Sequence, residues 1–271
     1  MAKIIAISNQ KGGVGKTTTV ANMGFGLCAM EKRVLLVDFD SQASLTQVLG
    51  YQNPDELPMT IPDYMEAYIS ETPLDKNAGL LEISRDMHLL PSDITLANID
   101  VSLVNAMNRE SVLKGILAEF RDEYDYILID TNPSLGMLTL NALTASDSVI
   151  IPAETQYLSA KGLERLLATI SKVRKQLNPN LEIEGILFTM LRNTNHSKNV
   201  VNSVIEAYGE NIRIFDSKIP YSVEAADAGM AGKSIFEYAP KGNVAESYKS
   251  FIKEVADDGE KQRANQFETD R

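Results

Sequence analysis

Short apolar runs alternate along the chain with segments whose apolar residues recur at helical spacing. Runs of the first kind are typical of strands buried on both faces of a parallel sheet. The predicted strands are residues 3–8, 33–38, 87–90, 125–130, 147–152, 183–189 and 212–216. The predicted helices are residues 17–30, 93–101, 109–121, 134–145, 157–177, 197–208 and 242–256. This alternation predicts an α/β fold, with a mostly parallel twisted sheet and helices on both faces.

Two segments depart from the alternation. Residues 50–80 include four prolines and are predicted to form a loop and short-helix insertion. Residues 257–271 mix charges with few apolar positions and are predicted to be a flexible C-terminal tail. No long linker interrupts the rest of the chain, so residues 1–256 are predicted to form a single domain.

Composition narrows the possible functions. Acidic residues outnumber basic ones by 37 to 26, giving a net charge of −11, which argues against a chain coated in positive charge for nucleic acid. A local basic patch is still possible. A single cysteine, Cys28, leaves no disulfide framework and is predicted to be a buried structural thiol. We find no leader-like or membrane-spanning apolar run and expect a cytoplasmic protein without a membrane partner.

A glycine-rich turn joins the first predicted strand to the first predicted helix. Residues 9–18 read Asn-Gln-Lys-Gly-Gly-Val-Gly-Lys-Thr-Thr. Glycines let backbone N–H groups converge on a polyphosphate, Lys16 can place a charge near the β- and γ-phosphates, and the Thr17 hydroxyl can bind Mg²⁺. Such turns also occur without a ligand. The predicted nucleotide-binding residues of this turn are Gly12, Gly13, Val14, Gly15, Lys16, Thr17 and Thr18.

Two carboxylates mark the end of the second predicted strand. Asp38 and Asp40 are separated by one residue, so strand alternation points them to the same side. Ligands of open α/β sheets bind at the carboxyl ends of strands, where the glycine-rich turn also lies. Asp40 is the candidate for positioning an attacking water, and Asp38 is expected nearer the Mg²⁺. Alternatively, both aspartates cap the helix predicted after them.

A third apolar strand also ends in a carboxylate, Asp130, and is followed by Thr-Asn-Pro-Ser-Leu-Gly. An aspartate at this place can hold a metal-bound water, and the loop after it, which contains Pro133, can sense the γ-phosphate. A strand ending in aspartate is weak evidence by itself. Together with the other two strand ends, it predicts one phosphate- and metal-binding edge.

These motifs resemble those of the ParA/MinD ATPases. Residues 11–17 are similar to the deviant Walker A box K-G-G-x-G-K-T, and residues 37–44 are similar to the family segment V-D-x-D-P-Q-x-N. In the second segment Asp40 and Gln42 match, whereas Ser41, Ala43 and Ser44 depart from the family pattern. The chain is identified as a member of the small ParA proteins, often called Soj, over residues 3–255.

The resemblance implies a cycle and a set of residue roles. The cycle is ATP-dependent homodimerisation, non-specific DNA binding by the dimer on the nucleoid, and slow ATP hydrolysis stimulated by a ParB-like centromere-binding partner. Its output is the segregation of plasmid or chromosomal DNA, with ATP and Mg²⁺ as cofactors. Lys11 is expected to reach the partner subunit's nucleotide. The implied catalytic residues are Lys11, Lys16 and Asp40, the metal-site residues are Thr17, Asp38 and, through water, Asp130, and the switch residues are Asp40, Gln42, Asp130 and Pro133.

The adenine and DNA contacts are also carried over from the family. Met190 and Pro220 match its base-contacting segments, although each could equally be an ordinary core or strand-ending residue. Where many small ParA proteins carry DNA-binding arginines, this chain reads Tyr-Ser-Val-Glu at 221–224, so we expect weak, salt-dependent DNA binding. The nearby cations that could compensate are Arg192, Lys198, Lys218, Lys233 and Lys241.

Related classes share this phosphate loop. A positioning ATPase for protein cargo would have the same core. A MinD-like membrane-cycling ATPase would need a basic amphipathic C-terminal helix, whereas residues 243–256 are mixed in charge and are expected to dock on their own domain. A nitrogenase-reductase-like protein would need more cysteines. A small-molecule ligase would need a second substrate pocket, for which the sequence gives no signal.

Overall fold

The sheet is built from the apolar runs that the sequence singles out. The computed structural model describes the backbone of residues 1–104, 106–156 and 160–269, and the side chains of these residues except 160 and 258–269. Within this part of the chain the strands are β1 (Lys3–Ile7), β2 (Val34–Phe39), β3 (Leu81–Ser84), β4 (Met87–Leu90), β5 (Tyr126–Thr131), β6 (Ser148–Glu154) and β7 (Glu182–Thr189). They form one sheet in the order β3-β4-β2-β5-β1-β6-β7. The ladders are parallel except for the antiparallel β3–β4 pair, which confirms the predicted fold class.

Helices cover both faces of the sheet. The α-helices are α1 (Lys16–Cys28), α2 (Ser44–Val48), α3 (Ile61–Ile69), α4 (Leu96–Leu103), α5 (Val112–Ala118), α6 (Met137–Ala145), α7 (Ala160–Gln176), α8 (Asn195–Tyr208), α9 (Val223–Met230), α10 (Ile235–Tyr238) and α11 (Asn243–Thr269), with a 3₁₀ turn at Pro54–Glu56. Residues 157–159 of the helix predicted over 157–177 lie outside the described residues.

Strand alternation divides the core between the two faces. Ile5 and Ile7 of β1 pack on one face with residues of α1 and α11, whereas Ile4 and Ala6 point to the other face, where α3 to α7 pack. Because both faces are buried, β1, β2 and β5 read as continuous apolar runs, which is why the sequence reveals them.

The strand predicted at 212–216 is wrong. This segment makes one parallel bridge, Ile186 to Ile214, and then leaves the sheet. The backbone N–H groups of Asp216 and Ser217 donate to the Glu254 carboxylate at 3.1 and 2.8 Å, so a side chain of α11 replaces a strand partner. The insertion at 50–80 contains α3, and the structure adds the edge strand β3 directly after it.

The C-terminal helix packs on the chain's own core. Val244, Tyr248, Phe251, Ile252 and Val255 are at most 2% exposed, so the apolar face of α11 is covered over this length, as expected for a helix docked on its own domain. The backbone stays helical to Thr269, through most of the segment for which the sequence predicts a flexible tail, while residues 270–271 lie outside the described residues. In the described part of the chain, no helix combines the length and apolar character needed to span a bilayer.

Candidate active site

The glycine-rich turn forms a cradle at the N-terminus of α1. Gly13 and Gly15 have φ values of 74° and 79°, in the left-handed region that side chains disfavour. Gly15 is the N-cap of α1, and no side chain caps the helix there. The first N–H groups of α1 therefore suit an anion, as the sequence predicts for a phosphate loop.

Contacts from distant strands hold the cradle in shape. The Asn9 side-chain amide donates to the Pro152 carbonyl at 2.6 Å and its oxygen accepts from the Lys11 N–H at 3.0 Å. From the other side, the Thr189 hydroxyl donates to the Val14 carbonyl at 2.8 Å. Sequence reasoning missed Asn9 and Thr189, because their partners lie far away in the chain.

Lys16 is a buried lysine that faces the carboxylates. Its side chain folds back over the loop, and its ammonium donates to the Lys11 carbonyl at 3.2 Å. Burial lowers the pKa of Lys16, while the charges of Asp130 and Asp40 oppose that shift. The structure thus brings Lys16 together with two of the three predicted carboxylates.

Asp130 joins the phosphate loop to the sheet. The Thr17 hydroxyl donates to Asp130 Oδ2 at 2.6 Å, whereas the buried Oδ1 has no hydrogen-bond partner within the described protein. Burial and the neighbouring Asp38 raise the pKa of Asp130 to about 8, while Thr17 and Lys16 lower it. A buried carboxylate oxygen left without a partner suits a metal-bound water.

Asp38 lies beside Asp130 but is held differently. The two residues are register partners on β2 and β5. Asp38 Oδ2 accepts from the Thr46 N–H at 2.8 Å and the Thr46 hydroxyl at 2.7 Å, and Oδ1 accepts from the Asp40 N–H at 3.3 Å. Burial raises the pKa of Asp38 to about 7, against these hydrogen bonds. Both oxygens are engaged, so the contacts favour Asp38 as an anchor of α2 over its predicted place near the metal. Thr46 was not found from the sequence.

Asp40 lies at the mouth of the site in a tight turn. Its side chain is half-buried, Oδ1 accepts from the Gln42 N–H at 3.0 Å, and its carbonyl accepts from the Ala43 N–H at 2.9 Å. Ala43 has a φ of 49°, a left-handed conformation that favours glycine. The departure from the family pattern at this position therefore carries backbone strain. The exposed Gln42 points away from the core.

The loop after Asp130 lies against the phosphate cradle. Pro133 Cβ is 3.9 Å from the place where a Cβ on Gly12 would be. The Thr139 hydroxyl, in α6, contacts Asn132 Oδ1 at 3.1 Å and the Ser134 carbonyl at 2.8 Å. A change at the γ-phosphate position would therefore reach α6 through this loop.

Lys11 contacts its own chain. Its ammonium lies 3.9 Å from Glu154 Oε2, at the end of β6. Its predicted target, the nucleotide of a second subunit, requires the side chain to leave this position.

The predicted base-contacting residues meet at the end of β7. Leu191 and Pro220 form a bridge, and the Ile219 N–H donates to the Phe188 carbonyl at 2.8 Å. Met190 and Pro220 therefore lie on neighbouring segments, both half-buried. Since Thr189 contacts the cradle, this pair lies beside the phosphate loop, as a base-binding pair must.

The five predicted DNA-binding cations do not form one patch with shared contacts. The Arg192 guanidinium stacks on the Tyr221 ring at 3.7 Å, the Lys218 ammonium contacts the Asp216 carbonyl at 3.4 Å, and the Lys233 ammonium pairs with Glu237 at 3.0 Å. Lys198 and Lys241 are exposed.

The side chains fit Mg²⁺ better than a metal held by the protein alone. Within the described residues, no group of three or more His, Cys, Asp or Glu side chains could enclose a metal ion. Magnesium usually binds through one or two protein oxygens, waters and substrate phosphates. Thr17 Oγ1 and, through water, Asp130 Oδ1 supply that limited set at the phosphate cradle.

Comparison with known proteins decides the family. Residues 2–183 match the family model described as an AAA domain. The sporulation initiation inhibitor protein Soj of Bacillus subtilis is 42% identical over 265 residues, which cover 96% of this chain and 100% of Soj. The chain belongs to the ParA/Soj family of P-loop ATPases. The expected family is therefore confirmed.

Solved structures of similar proteins support the ParA/Soj fold and its ligands. A structure from Mycobacterium smegmatis, named cobyrinic acid a,c-diamide synthase and bound to ADP and magnesium, is 36% identical, with a TM-score of 0.80 and 93% of both chains covered. A plasmid partition protein from Borrelia burgdorferi, bound to AMPPNP, is 26% identical, with a TM-score of 0.78, 95% of this chain covered and 100% of the other. The ligands expected for ParA/Soj proteins, an adenine nucleotide and magnesium, are those that these structures hold.

Proposed function

We propose that this chain binds Mg²⁺·ATP, dimerises in the ATP state, binds DNA non-specifically and segregates plasmid or chromosomal DNA with a ParB-like partner. The observation that carries the nucleotide part is the contact of Thr17 with Asp130 beside the buried Lys16. These three side chains place a cation, a metal ligand and a water-holding carboxylate at one phosphate cradle. The Soj relative supports the partition part.

The residues divide the work of hydrolysis. Bound magnesium would neutralise charge on the β- and γ-phosphates. Lys16 binds the phosphate oxygens, and Thr17 and Asp130 hold the metal and its water. Asp40, half-buried at the mouth of the site, orients the attacking water. Asp38 fixes α2 and the Asp40 turn through Thr46, so its role is positioning.

Lys11 makes dimerisation depend on ATP. In the single chain its ammonium lies near Glu154, with 37% of its side chain exposed. A γ-phosphate in a second subunit offers a stronger charge partner than this carboxylate at 3.9 Å. ATP thereby gains a preference for the dimer, and hydrolysis removes it. A single chain whose Lys11 is engaged elsewhere is expected to hydrolyse ATP slowly, which leaves a partner room to stimulate the reaction.

DNA binding by the dimer is expected to be weak and steeply salt-dependent. The candidate cations are separate, and Lys233 is already paired with a carboxylate. The net charge of −11 opposes approach to DNA at long range. Dimerisation doubles the number of cations facing one duplex, so retention on non-specific DNA at low salt is expected only with ATP. Association with the nucleoid would follow from the same contacts.

Two lysine variants test the nucleotide switch. Lys16→Ala is expected to abolish nucleotide binding, because it removes the phosphate-facing charge. Lys11→Ala is expected to keep nucleotide binding and lose ATP-dependent dimerisation and hydrolysis. Size-exclusion chromatography with ATP, beside a fluorescent-nucleotide binding assay, separates these outcomes, with Lys172→Ala on exposed α7 surface as the matched control. A Lys11→Ala chain that dimerises like the parent would exclude the cross-subunit role.

A small-molecule ligase is the second candidate, because the M. smegmatis structure carries a ligase name. Such an enzyme needs a substrate pocket beside the phosphates. A cavity of about 350 Å³ lies between α7 and β7, lined by residues such as Leu167, Arg174 and Ile183, and none of its lining residues belongs to the phosphate loop. This placement favours the partition class. ATPase assays with and without DNA and a ParB-like protein discriminate, since only a partition ATPase is expected to respond. A cargo-positioning ATPase would respond to its adaptor instead.

A further inference from the structure

One surface beside the site combines exposed apolar side chains with an absence of charge. Ile94, Val101, Val104 and Met107 are 53%, 71%, 59% and 92% exposed. Between Ile94 and Asn108 the sequence contains one charged residue, Asp100, and its side chain is half-buried. We call Ile94, Val101, Val104 and Met107 the α4 face. Exposed apolar side chains grouped in this way, without charges, are typical of the centre of an interface.

The segment that leads into α4 is tied to the acidic centre of the site. The Ser92 N–H donates to Thr46 Oγ1 at 3.1 Å, and Thr46 in turn holds Asp38. Because this segment leaves the carboxyl end of β4, α4 begins at the same edge of the parallel sheet as the phosphate cradle.

A second contact ties α4 to the switch loop. Asp100 accepts a hydrogen bond from the Leu138 N–H, at the first turn of α6. Its Oδ2 is 3.8 Å from the position that a Cβ on Gly136 would take, and Gly136 ends the loop that contains Pro133. The α4 face is therefore attached to both elements that change with the γ-phosphate, one on each side of Asp130.

The charge of the chain selects the occupant. A two-fold interface presents the same patch from both copies, so it must be complementary to itself. Two copies of this chain each carry a net charge of −11 and repel one another over most of their surfaces. A face without exposed charge is where two such copies approach at least electrostatic cost. A basic partner would instead be attracted to the acidic surface elsewhere.

We propose that the α4 face is buried against a second copy of this chain in the ATP-bound dimer. The inference rests on the proposed ATP-dependent dimerisation and adds to it the surface used. The Lys11 contact must bring the phosphate-loop edges of two subunits together, and the α4 face extends that edge with apolar area. Nucleotide-dependent movement of the switch loop reaches the α4 face through Asp100.

The test adds charge to this face. The double variant Val101→Glu/Met107→Glu places like charges in a self-complementary interface, and dimerisation with Mg²⁺ and AMPPNP is expected to weaken at least about tenfold in sedimentation velocity. Binding of a fluorescent nucleotide is expected to match the parent, since neither residue touches the cradle. Met30→Glu, at the far end of α1 and 40% exposed, is the matched control and should dimerise normally.

Hydrogen exchange of the parent chain checks the inference without a variant. Residues 94–104 are expected to gain protection with AMPPNP in the dimer. A double variant that dimerises like the parent, or a segment 94–104 without added protection in the dimer, overturns the inference while leaving the proposed function intact. Normal dimerisation with lost stimulation by a ParB-like protein also overturns it and reassigns the face to that partner. A parent chain that stays monomeric overturns both.

Discussion

The Thr17 hydroxyl donates a 2.6 Å hydrogen bond to Asp130 Oδ2, joining the first turn of α1 to the end of β5. The contact places a candidate metal ligand directly against the buried carboxylate that would hold a metal-bound water. It also explains why Asp130 can remain in the core, since Thr17 and the charge of Lys16 both favour its ionised form.

Replacing Thr17 tests the metal site. Thr17→Ala removes the hydroxyl and leaves Asp130 with less support, so we expect magnesium-dependent nucleotide affinity to fall at least about tenfold and hydrolysis to be lost. Isothermal titration with ADP, with and without Mg²⁺, measures the effect. Thr169→Ala, on the exposed surface of α7, is the control and should bind normally. An unchanged magnesium dependence in Thr17→Ala would remove Thr17 from the metal site.

Asp40 offers a separation of binding from chemistry. Asp40→Ala removes the group proposed to orient water but leaves the cradle intact, so ATP binding is expected to persist while hydrolysis falls at least about a hundredfold. The ATP-bound dimer should then accumulate on size-exclusion chromatography. Asp122→Ala, an exposed acid far from the site, controls for the change of net charge. Wild-type turnover in Asp40→Ala would exclude the assigned role.

The buried carboxyls predict how stability depends on pH. Burial raises the pKa of Asp38 to about 7, and burial with the charge of Asp38 raises that of Asp130 to about 8, from 3.8 for an ordinary aspartate. The folded chain therefore binds more protons than the unfolded chain between those values. The free energy of unfolding contributed by this pair is greatest below about pH 4 and is lost as pH rises through about 7 and 8.

Urea unfolding of the nucleotide-free chain at several pH values from about 5 to 8 measures this slope. Asp38→Asn removes one of the two titrations, so its slope is expected to be shallower than that of the parent. Asp257→Asn, an exposed acid in α11, should leave the slope unchanged. Equal slopes in parent and Asp38→Asn would show that Asp38 does not titrate in this range.

A buried hydroxyl pair links the phosphate-loop helix to the C-terminal helix. Thr19 Oγ1 and Tyr248 Oη are 3.2 Å apart, and Tyr248 is 1% exposed. Tyr248→Phe leaves the Thr19 hydroxyl without this partner, and we expect a loss of about 1–2 kcal/mol in the free energy of unfolding. Tyr238→Phe, at a residue 44% exposed, should change stability little. If Tyr248→Phe unfolds at the parent's urea concentration, the pair contributes nothing measurable.

Much of the fold could be predicted because burial leaves a local record. Strands β1, β2 and β5 are covered on both faces and are written as apolar runs, and the helices between them keep helical spacing. The edge strand β3 was missed because its Leu-Glu-Ile-Ser alternation is short and half-exposed. The segment 212–216 has apolar strand-like residues, but its pairing ends where Glu254 captures the backbone, a contact that no local pattern encodes.

The site divides in the same way. The cradle, Asp38, Asp40 and Asp130 were found because each lies at the end of an apolar run. Thr189 was missed because its contact to Val14 joins positions 175 residues apart. Thr46 is only eight residues from Asp38, yet a threonine in a short helix carries no signal of that role.

Helix α1 has almost no space on either side. A Cβ on Gly24 would lie 2.8 Å from the Met87 sulfur, and one on Gly26 would collide with Ile252 of α11. The residues that grip the phosphates are thus mounted on a helix clamped between the sheet and the carboxyl-terminal segment. Deleting α11 would uncover one side of that mount, so a truncated chain that no longer binds nucleotide would not show that α11 touches the nucleotide.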